Sequence, residues 1–345
     1  MSSTKPFRRP WLANAVGVIL AFSLLGLAIY QNRVELAKVF AKPVDLRFFA
    51  VGLVIYLIAL LITFTRWFLL VRVQGIPFTL RDAIRLGFIG NVFNLVIPGA
   101  VGGDVIKAAY LGRMQPERKP QAWASMVIDR ILGLLGLFLL AGVAGLTTWN
   151  SANGQVRTLV ALVWGALLIG FVGLAVLFSP SLYRPLNRLV AGRGKVEGVV
   201  VKLEAIGMVY RRKIGTVVAM LFVAVFCHSL YVLAFYTASL ALFDSMPTLA
   251  QHYLMVPLAL FTTAVPLPFG ALGLSEQISG QLFQMVQHVD GAVAMMAFRV
   301  LMYASGAVSA CVYLANLRQV RTLKLDADTQ SEADPSEVVE APASL

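Results

Sequence analysis

The stretch Asn94-Leu95-Val96-Ile97-Pro98-Gly99-Ala100-Val101-Gly102-Gly103-Asp104 decides how this chain is read. It closes a charge-free run, Leu86 to Gly103, that is apolar enough to enter a membrane yet carries Asn91, Asn94, Pro98 and a cluster of glycines. Proline removes a backbone donor and breaks a helix, so the run is not expected to be one regular helix. Irregular backbone at membrane depth is tolerated only where it is buried in protein or lines a wet cavity. A broken segment that turns inside the membrane at a glycine elbow satisfies both conditions.

A second charge-free run, Ser245 to Ser275, has the same character, with Pro257, Pro266, Pro268, Gly270 and Gly273. Gly99-Ala100-Val101-Gly102 is echoed there by Gly270-Ala271-Leu272-Gly273. Each tetrapeptide follows a proline, Pro98 or Pro268, and precedes an acid, Asp104 or Glu276. An arginine, Arg130 or Arg299, then opens the next long apolar stretch in each half. The order proline, glycines, acid, arginine occurs twice, which predicts an internal repeat.

Composition fixes the class. Of 345 residues 59% are apolar and 13% charged, against roughly 45–50% and about 25% in globular chains. That excludes a soluble enzyme, a disordered chain and a disulfide-stapled secreted domain, and leaves an all-α polytopic membrane protein. Cys227 and Cys311 lie in apolar runs and form no metal or redox spacing, so they are read as small core residues. Six further charge-free runs are Pro10 to Asn32, Phe48 to Thr65, Ile131 to Val156, Thr158 to Tyr183, Ile214 to Phe243 and Val300 to Leu317, the last extended by the uncharged residues before Arg299. The first is expected to be a retained signal-anchor helix, because its apolar core is too long for a cleaved signal and no A-x-A-like site follows.

Charge decides the topology of these eight membrane segments. If both broken runs re-enter, twenty-three Lys and Arg residues, among them Arg66, Arg85, Lys107 and Arg130, fall on the cytoplasmic side and five fall outside. If both cross, eleven are inside and seventeen outside, against the positive-inside rule. The expected architecture is six transmembrane helices plus two re-entrant broken helices, with both termini cytoplasmic. Each half, about residues 11–150 and 158–320, then contributes three crossings, so the second is inverted relative to the first. Inverted repeats meeting at broken helices are a transporter architecture. The parts are a cytoplasmic N-terminus (1–10), an integral membrane domain (11–325) and an acidic tail (326–345) whose composition predicts disorder.

The site candidates follow from the cost of intramembrane charge. A charge at the bilayer centre costs about 2.5–3.5 kcal/mol on insertion scales, so such residues face the bundle interior and pair. Asp104 and Glu276 sit where a helix restarts, and Gly102, Gly103 and Gly273 would let a phosphate approach the exposed N–H groups closely. The opposing reading makes the two acids simple caps of those groups. Arg130 and Arg299 are their natural partners, either as ligands of a lipid phosphate or as structural ion pairs with Asp104, Glu276 or Asp129. Arg85 and Lys107 flank the first elbow, where they guide an anionic headgroup inward or simply snorkel to the interface. Asn91 and Asn94 share one helical face and either bind a headgroup or tie helices together. His228, inside a long apolar run with Tyr231 and Tyr236 nearby, is read as a core hydrogen-bonder before a proton relay, and His252 and His288 are too scattered for a metal site. The basic loop from Arg184 to Lys213 is read as an ordinary cytoplasmic loop, with a lipid-bound surface helix as its alternative.

Three stretches together resemble a known family: Asn94 to Lys107, Ser125 to Gly133 with its Asp129-Arg130 pair, and Pro268 to Glu276. They are similar to the transmembrane domain of lysylphosphatidylglycerol synthase/flippase proteins, and the resemblance covers roughly residues 10 to 320. It implies a lipid-translocating membrane domain. An acidic tail stands where bifunctional members carry an aminoacyl-transfer domain, so synthase activity is not expected. No H-E-x-x-H, Walker loop or G-x-S-x-G occurs, so neither an enzyme nor a cofactor is expected. The expected activity is translocation of an anionic or zwitterionic phospholipid or lipid-linked headgroup, with membrane lipid as the partner and no nucleic acid. The alternative is an accessory or catalytic subunit acting on lipid-linked sugars beside a glycosyltransferase or lipid-synthesis enzyme. A bacterial or archaeal cytoplasmic membrane is the expected location.

Overall fold

A computed structural model describes residues 10–41, 43–96, 102–150, 152–179, 181, 183, 188, 189, 191, 195–264 and 271–315. The tips of both elbows (Pro98 to Val101; Pro266 to Gly270), the first nine residues and the acidic tail lie outside them. Every regular element among the described residues is helical. Five helices are long and apolar enough to cross a membrane: α3 (Leu46–Val73), α6 (Lys119–Thr147, extended by a 3-10 turn at Pro116–Arg118), α7 (Gly154–Leu177), α9 (Ile214–Leu240) and α12 (Gly291–Ala315). The expected sixth crossing corresponds to α1 (Pro10–Gln31), followed by the short α2 (Arg33–Phe40).

The broken runs form two helical hairpins. In the first, α4 (Leu80–Val96) and α5 (Gly102–Met114) pack along each other; in the second, α10 (Leu249–Phe261), a 3-10 turn at Thr262–Ala264 and α11 (Leu274–Gln284) do the same. The remaining helix, α8 (Lys195–Arg212), ends in Arg211 and Arg212. Local chemistry starts several of these helices: the Asp45 carboxylate accepts the Arg47 N–H at 2.9 Å, the Asn153 amide oxygen accepts the Val156 N–H at 2.9 Å, and Thr248 and Gln251 cap each other reciprocally.

One buried cluster joins the open end of the first hairpin (Ala83, Leu86, Ala108, Leu111) to the last turns of α3 (Trp67, Val71) and the first turns of α6 (Ala122, Met126). The open end of the second hairpin lies at the opposite end of α6: Thr248, Gln251 and Met285 line one cavity with Thr148 and Ala152. The two hairpins thus approach α6 from opposite ends, and α6 serves as the common axis. The helices around them close in on small residues, as at Gly136, where an added Cβ would lie 2.7 Å from the Ala224 methyl of α9. The outer face of α7 presents Leu162, Leu168 and Ile169 fully outward, the surface that a bilayer covers.

One expectation needs correcting. Arg66 was counted with the charges of a cytoplasmic loop, but α3 continues seven residues beyond it and buries it. A charge that finds a partner does not end an apolar helix, and the run Trp67 to Val71 resumes directly after it. Lys107 and Arg130 are likewise inside the helical body. With these three removed, twenty basic residues still stand against five, so the orientation argument keeps its sign.

Candidate functional site

Three neighbouring positions on α6 organise the interior. Asp129 binds Arg66 of α3, with Nε at 2.8 Å from Oδ1 and Nη2 at 3.1 Å from Oδ2. Arg130, turned about 100° around the same helix, reaches the Asp104 carboxylate at the start of α5 through both Nε and Nη2. One turn further on, the Gly133 carbonyl accepts the Nε2–H of His228 on α9 at 3.0 Å. A Cβ at 133 would make ordinary van der Waals contact with the Arg66 guanidinium, at 3.4 Å.

These groups line a cavity of about 290 Å³ among α3, α4, α5, α6, α9, α12 and the end of α10 with its 3-10 turn, walled by apolar side chains that include Phe64, Leu137 and Phe298. Three cations, Arg66, Lys107 and Arg130, and two carboxylates, Asp104 and Asp129, face it, leaving one positive charge in excess. At 1.5 Å per residue, Arg66 lies about 10 Å from the end of α3, Asp129 about 15 Å from the start of α6, and His228 about 21 Å from the start of α9. The charged groups therefore descend from one end of the bundle toward its middle.

Exposure separates the cations. The Arg66 side chain is 6% exposed and bound within its carboxylate pair, whereas that of Arg130 is 36% exposed beside the same cavity. Lys107 completes the cluster: its Nζ lies 2.6 Å from Asp104 and 5.3 Å from the Trp67 ring centroid. Asp104 is thus held by two cations, and an arriving anion can take over part of their coordination. Removing one member of a buried pair would cost about 3–5 kcal/mol; exchanging its partner for another anion need not.

The sequence-predicted residues divide between two places. Asp104, Arg130, Lys107 and Asn94 line the cavity, and Asp129 with them. The Asn94 amide oxygen accepts the Gly103 N–H at 2.9 Å, so an amide caps the start of α5. Asn91 donates to Ser309 of α12 at 2.9 Å and acts as a tie between helices. Gly102 opens α5, and Gly103 lets it cross α4 backbone to backbone, because a Cβ there would fall on the Gly90 carbonyl. Arg85 is half-buried near the start of α4 and is not among the residues lining the cavity.

Glu276 and Arg299 meet each other away from that cavity. Glu276 is fully buried; its Oε1 accepts Arg299 Nε at 2.5 Å and its Oε2 accepts the Gly273 N–H at 2.7 Å. Gly273, at φ +82°, lies against Leu24 and Leu25 of α1 so closely that any side chain would collide with them. At the second elbow the acid is the cap. The two elbows share residue types but differ at their acids: Asp104 lines the cavity, whereas Glu276 is fully buried, although Thr263 and Ala264 of the second elbow line the same cavity.

Sequence reasoning missed Arg66, whose signal was the resumption of the apolar run behind it, and set aside His228. The neutral His228 ring gives its Nε2 hydrogen to Gly133, which leaves Nδ1 as an acceptor. That atom is buried and finds no partner among the described groups. His252 donates Nδ1–H to the Thr248 carbonyl at 3.0 Å within a cage of Phe235, Tyr236 and Phe283, and no metal-ligand cluster occurs among the described residues.

UPF0104 membrane protein PH1989 of Pyrococcus horikoshii is 26% identical over 129 residues, a match spanning 37% of this chain and 37% of that protein. No solved structure matches the chain. Residues 14–309 match the family described as the lysylphosphatidylglycerol synthase TM region. That match runs from α1 through nearly all of α12 and takes in both hairpins and the charged cavity, and the chain belongs to this family of integral membrane proteins.

Proposed function

We propose that the chain is a lipid flippase or scramblase-like transporter that carries a phosphate-bearing headgroup, phospholipid or lipid-linked, between leaflets. The observation that carries this reading is the cavity itself: a cationic pocket with apolar walls, lined by helices long and apolar enough to cross a membrane and lying beside a broken helix. A headgroup phosphate enters from the cytoplasmic side, meets Arg130 and Lys107, and partly replaces Asp104 as their counter-charge. Its acyl chains remain among the apolar helices. The two hairpins are re-entrant from opposite faces in this reading, and their approach to opposite ends of α6 supports it. The elbow of the buried Glu276–Arg299 pair is the counterpart that opens when the first closes. The cavity of about 290 Å³ is at the small end of ligand sites, roughly 300–1,000 Å³, a size that suits one headgroup. No enzymatic turnover and no cofactor enter this mechanism, and the cytoplasmic membrane of a bacterium or archaeon is its setting.

The test is reconstitution into liposomes carrying fluorescent phospholipids and lipid-linked sugars, read by accessibility of the label to an impermeant quencher. Wild type should move a lipid, and Arg130→Gln and Asp104→Asn should slow it at least tenfold. Immobile lipid in every arm, combined with conversion of a lipid by the purified protein in detergent or beside a glycosyltransferase, would replace transport with the accessory-enzyme reading.

A further inference from the structure

No described residue of α8 lines the charged cavity, yet the side chains of this helix are sorted by face as at a binding surface. One face is built into the bundle. Ile206 and Tyr210 are buried with Leu70 of α3 and Ile128 of α6, and the Tyr210 hydroxyl donates to the Leu70 carbonyl at 3.2 Å. Gly207 passes the end of α7 so closely that an added Cβ would lie 2.4 Å from the Leu177 carbonyl oxygen. On the other side Val201, Ala205 and Met208, spaced four and three residues apart, form one exposed stripe. A helix that buries one face and still turns an apolar stripe outward has a second apolar surface to meet.

The level of that stripe follows from α3. At 28 residues α3 is about 42 Å long, the thickness of a bilayer with its headgroup layers, about 40–45 Å. Leu70 is three residues from its end, so the last turn of α8 lies in a headgroup layer. Just past the corner where α8 gives way to α9, Ile214, Val218 and Phe222 recur every fourth residue and are exposed, a row that acyl chains cover. Arg211, Arg212 and Lys213, all exposed, stand at the head of that row. Glu197 and Glu204, the acids of α8, come two turns or more before them. Positive charge above an apolar row has the outline of an anionic phospholipid, phosphate first and chains below.

We infer that this corner docks the anionic phospholipids of the surrounding leaflet. Arg211, Arg212 and Lys213 hold the phosphate, the chains lie along α9, and α8 rests in the headgroup layer on Val201, Ala205 and Met208. The two guanidiniums offer the phosphate paired N–H donors, and the lysine adds a mobile charge. The docked lipid stays at the rim and is not the molecule carried through the cavity, so the site does not depend on the transport reading.

The experiment attaches bimane to Met208→Cys in a Cys311→Ser background, Cys227 being buried. Full-length protein in nanodiscs is then mixed with phosphatidylserine or phosphatidylcholine carrying a nitroxide quencher on the acyl chain. Each Lys or Arg near an anionic surface strengthens binding about fivefold, so phosphatidylserine should reach half-quenching at a mole fraction at least about fivefold lower. Arg211→Gln, Arg212→Gln and Lys213→Gln together should bring the two lipids level, whereas Arg211→Lys with Arg212→Lys should keep most of the preference. The same label on Gln155→Cys, exposed at the other end of the bundle, should show no preference. Absence of quenching at position 208 by either lipid places the stripe against water or protein and overturns the site. Equal quenching by the two lipids does the same, as does a preference that survives the triple glutamine variant or appears equally at position 155.

Discussion

Neutralising Glu276 tests whether the second elbow is held by a desolvated ion pair. Glu276 is fully buried, and the Arg299 side chain that binds it is 5% exposed, so solvent screens neither. Glu276→Gln preserves shape and one acceptor but leaves the guanidinium buried without its counter-charge. Breaking a buried pair in this way costs about 3–5 kcal/mol, a shift of more than a hundredfold in the unfolding equilibrium. The exposed Lys38–Glu35 pair, with Lys38 66% exposed, gives an internal control, and Glu35→Gln should cost less than about 1 kcal/mol. Combining Glu276→Gln with Arg299→Leu should recover most of the loss, because no unpaired charge remains while the amide oxygen still accepts the Gly273 N–H. Unfolding in mixed micelles by titration with sodium dodecyl sulfate, followed by tryptophan fluorescence, measures all of these. If Glu276→Gln costs no more than Glu35→Gln, or the double variant costs as much as the single one, the reasoning from charge burial is refuted.

Three further outcomes are expected. Gly103→Ala drives a methyl group onto the Gly90 carbonyl, so it should lower stability far more than Gly90→Ala, whose nearest neighbour is the flexible Lys107 side chain at 3.0 Å; thermal unfolding in detergent ranks the two. Cysteines introduced at Gln115 and Gln287, in a Cys311→Ser background, should be labelled by an impermeant maleimide from opposite sides of the membrane, and labelling from one side would remove the opposed hairpins. Burial, followed by the nearness of Glu35, raises the Asp290 carboxyl above its ordinary range. The folded state then binds this proton more tightly than the unfolded one, so stability falls as pH rises from the ordinary carboxylate range through the raised value. Asp290→Asn should flatten that fall just above the ordinary carboxylate range, and an unchanged slope would assign it to other groups.

Much of the interior was legible because intramembrane charge is costly enough to leave a mark in one dimension. Asp104 with Arg130, and Glu276 with Arg299, stand out as isolated charges beside glycines, and each pair does meet. Arg66 escaped because a span was ended at the first charge, although a guanidinium facing a carboxylate 63 residues away does not terminate a helix. The division of labour between the elbows was not legible at all. It depends on α1 lying over Gly273, a contact between residues about 250 apart that neither local pattern announces. The capping of the first elbow by Asn94 was hidden for a related reason: an amide that satisfies a backbone N–H and one that binds a headgroup look alike until the backbone is placed.

The crossing of α4 and α5 at Gly90 and Gly103 has a mechanical consequence. At that point no side chain separates the two backbones, so the arms cannot slide past each other there without a clash. At the open end the Arg118 guanidinium grips the Gly75 carbonyl at 2.6 Å and ties the start of α6 to the loop behind α3. Asp104 stands next to Gly103 at the crossing, so any shift of this hairpin against α6 would be felt first by the charge that holds Arg130.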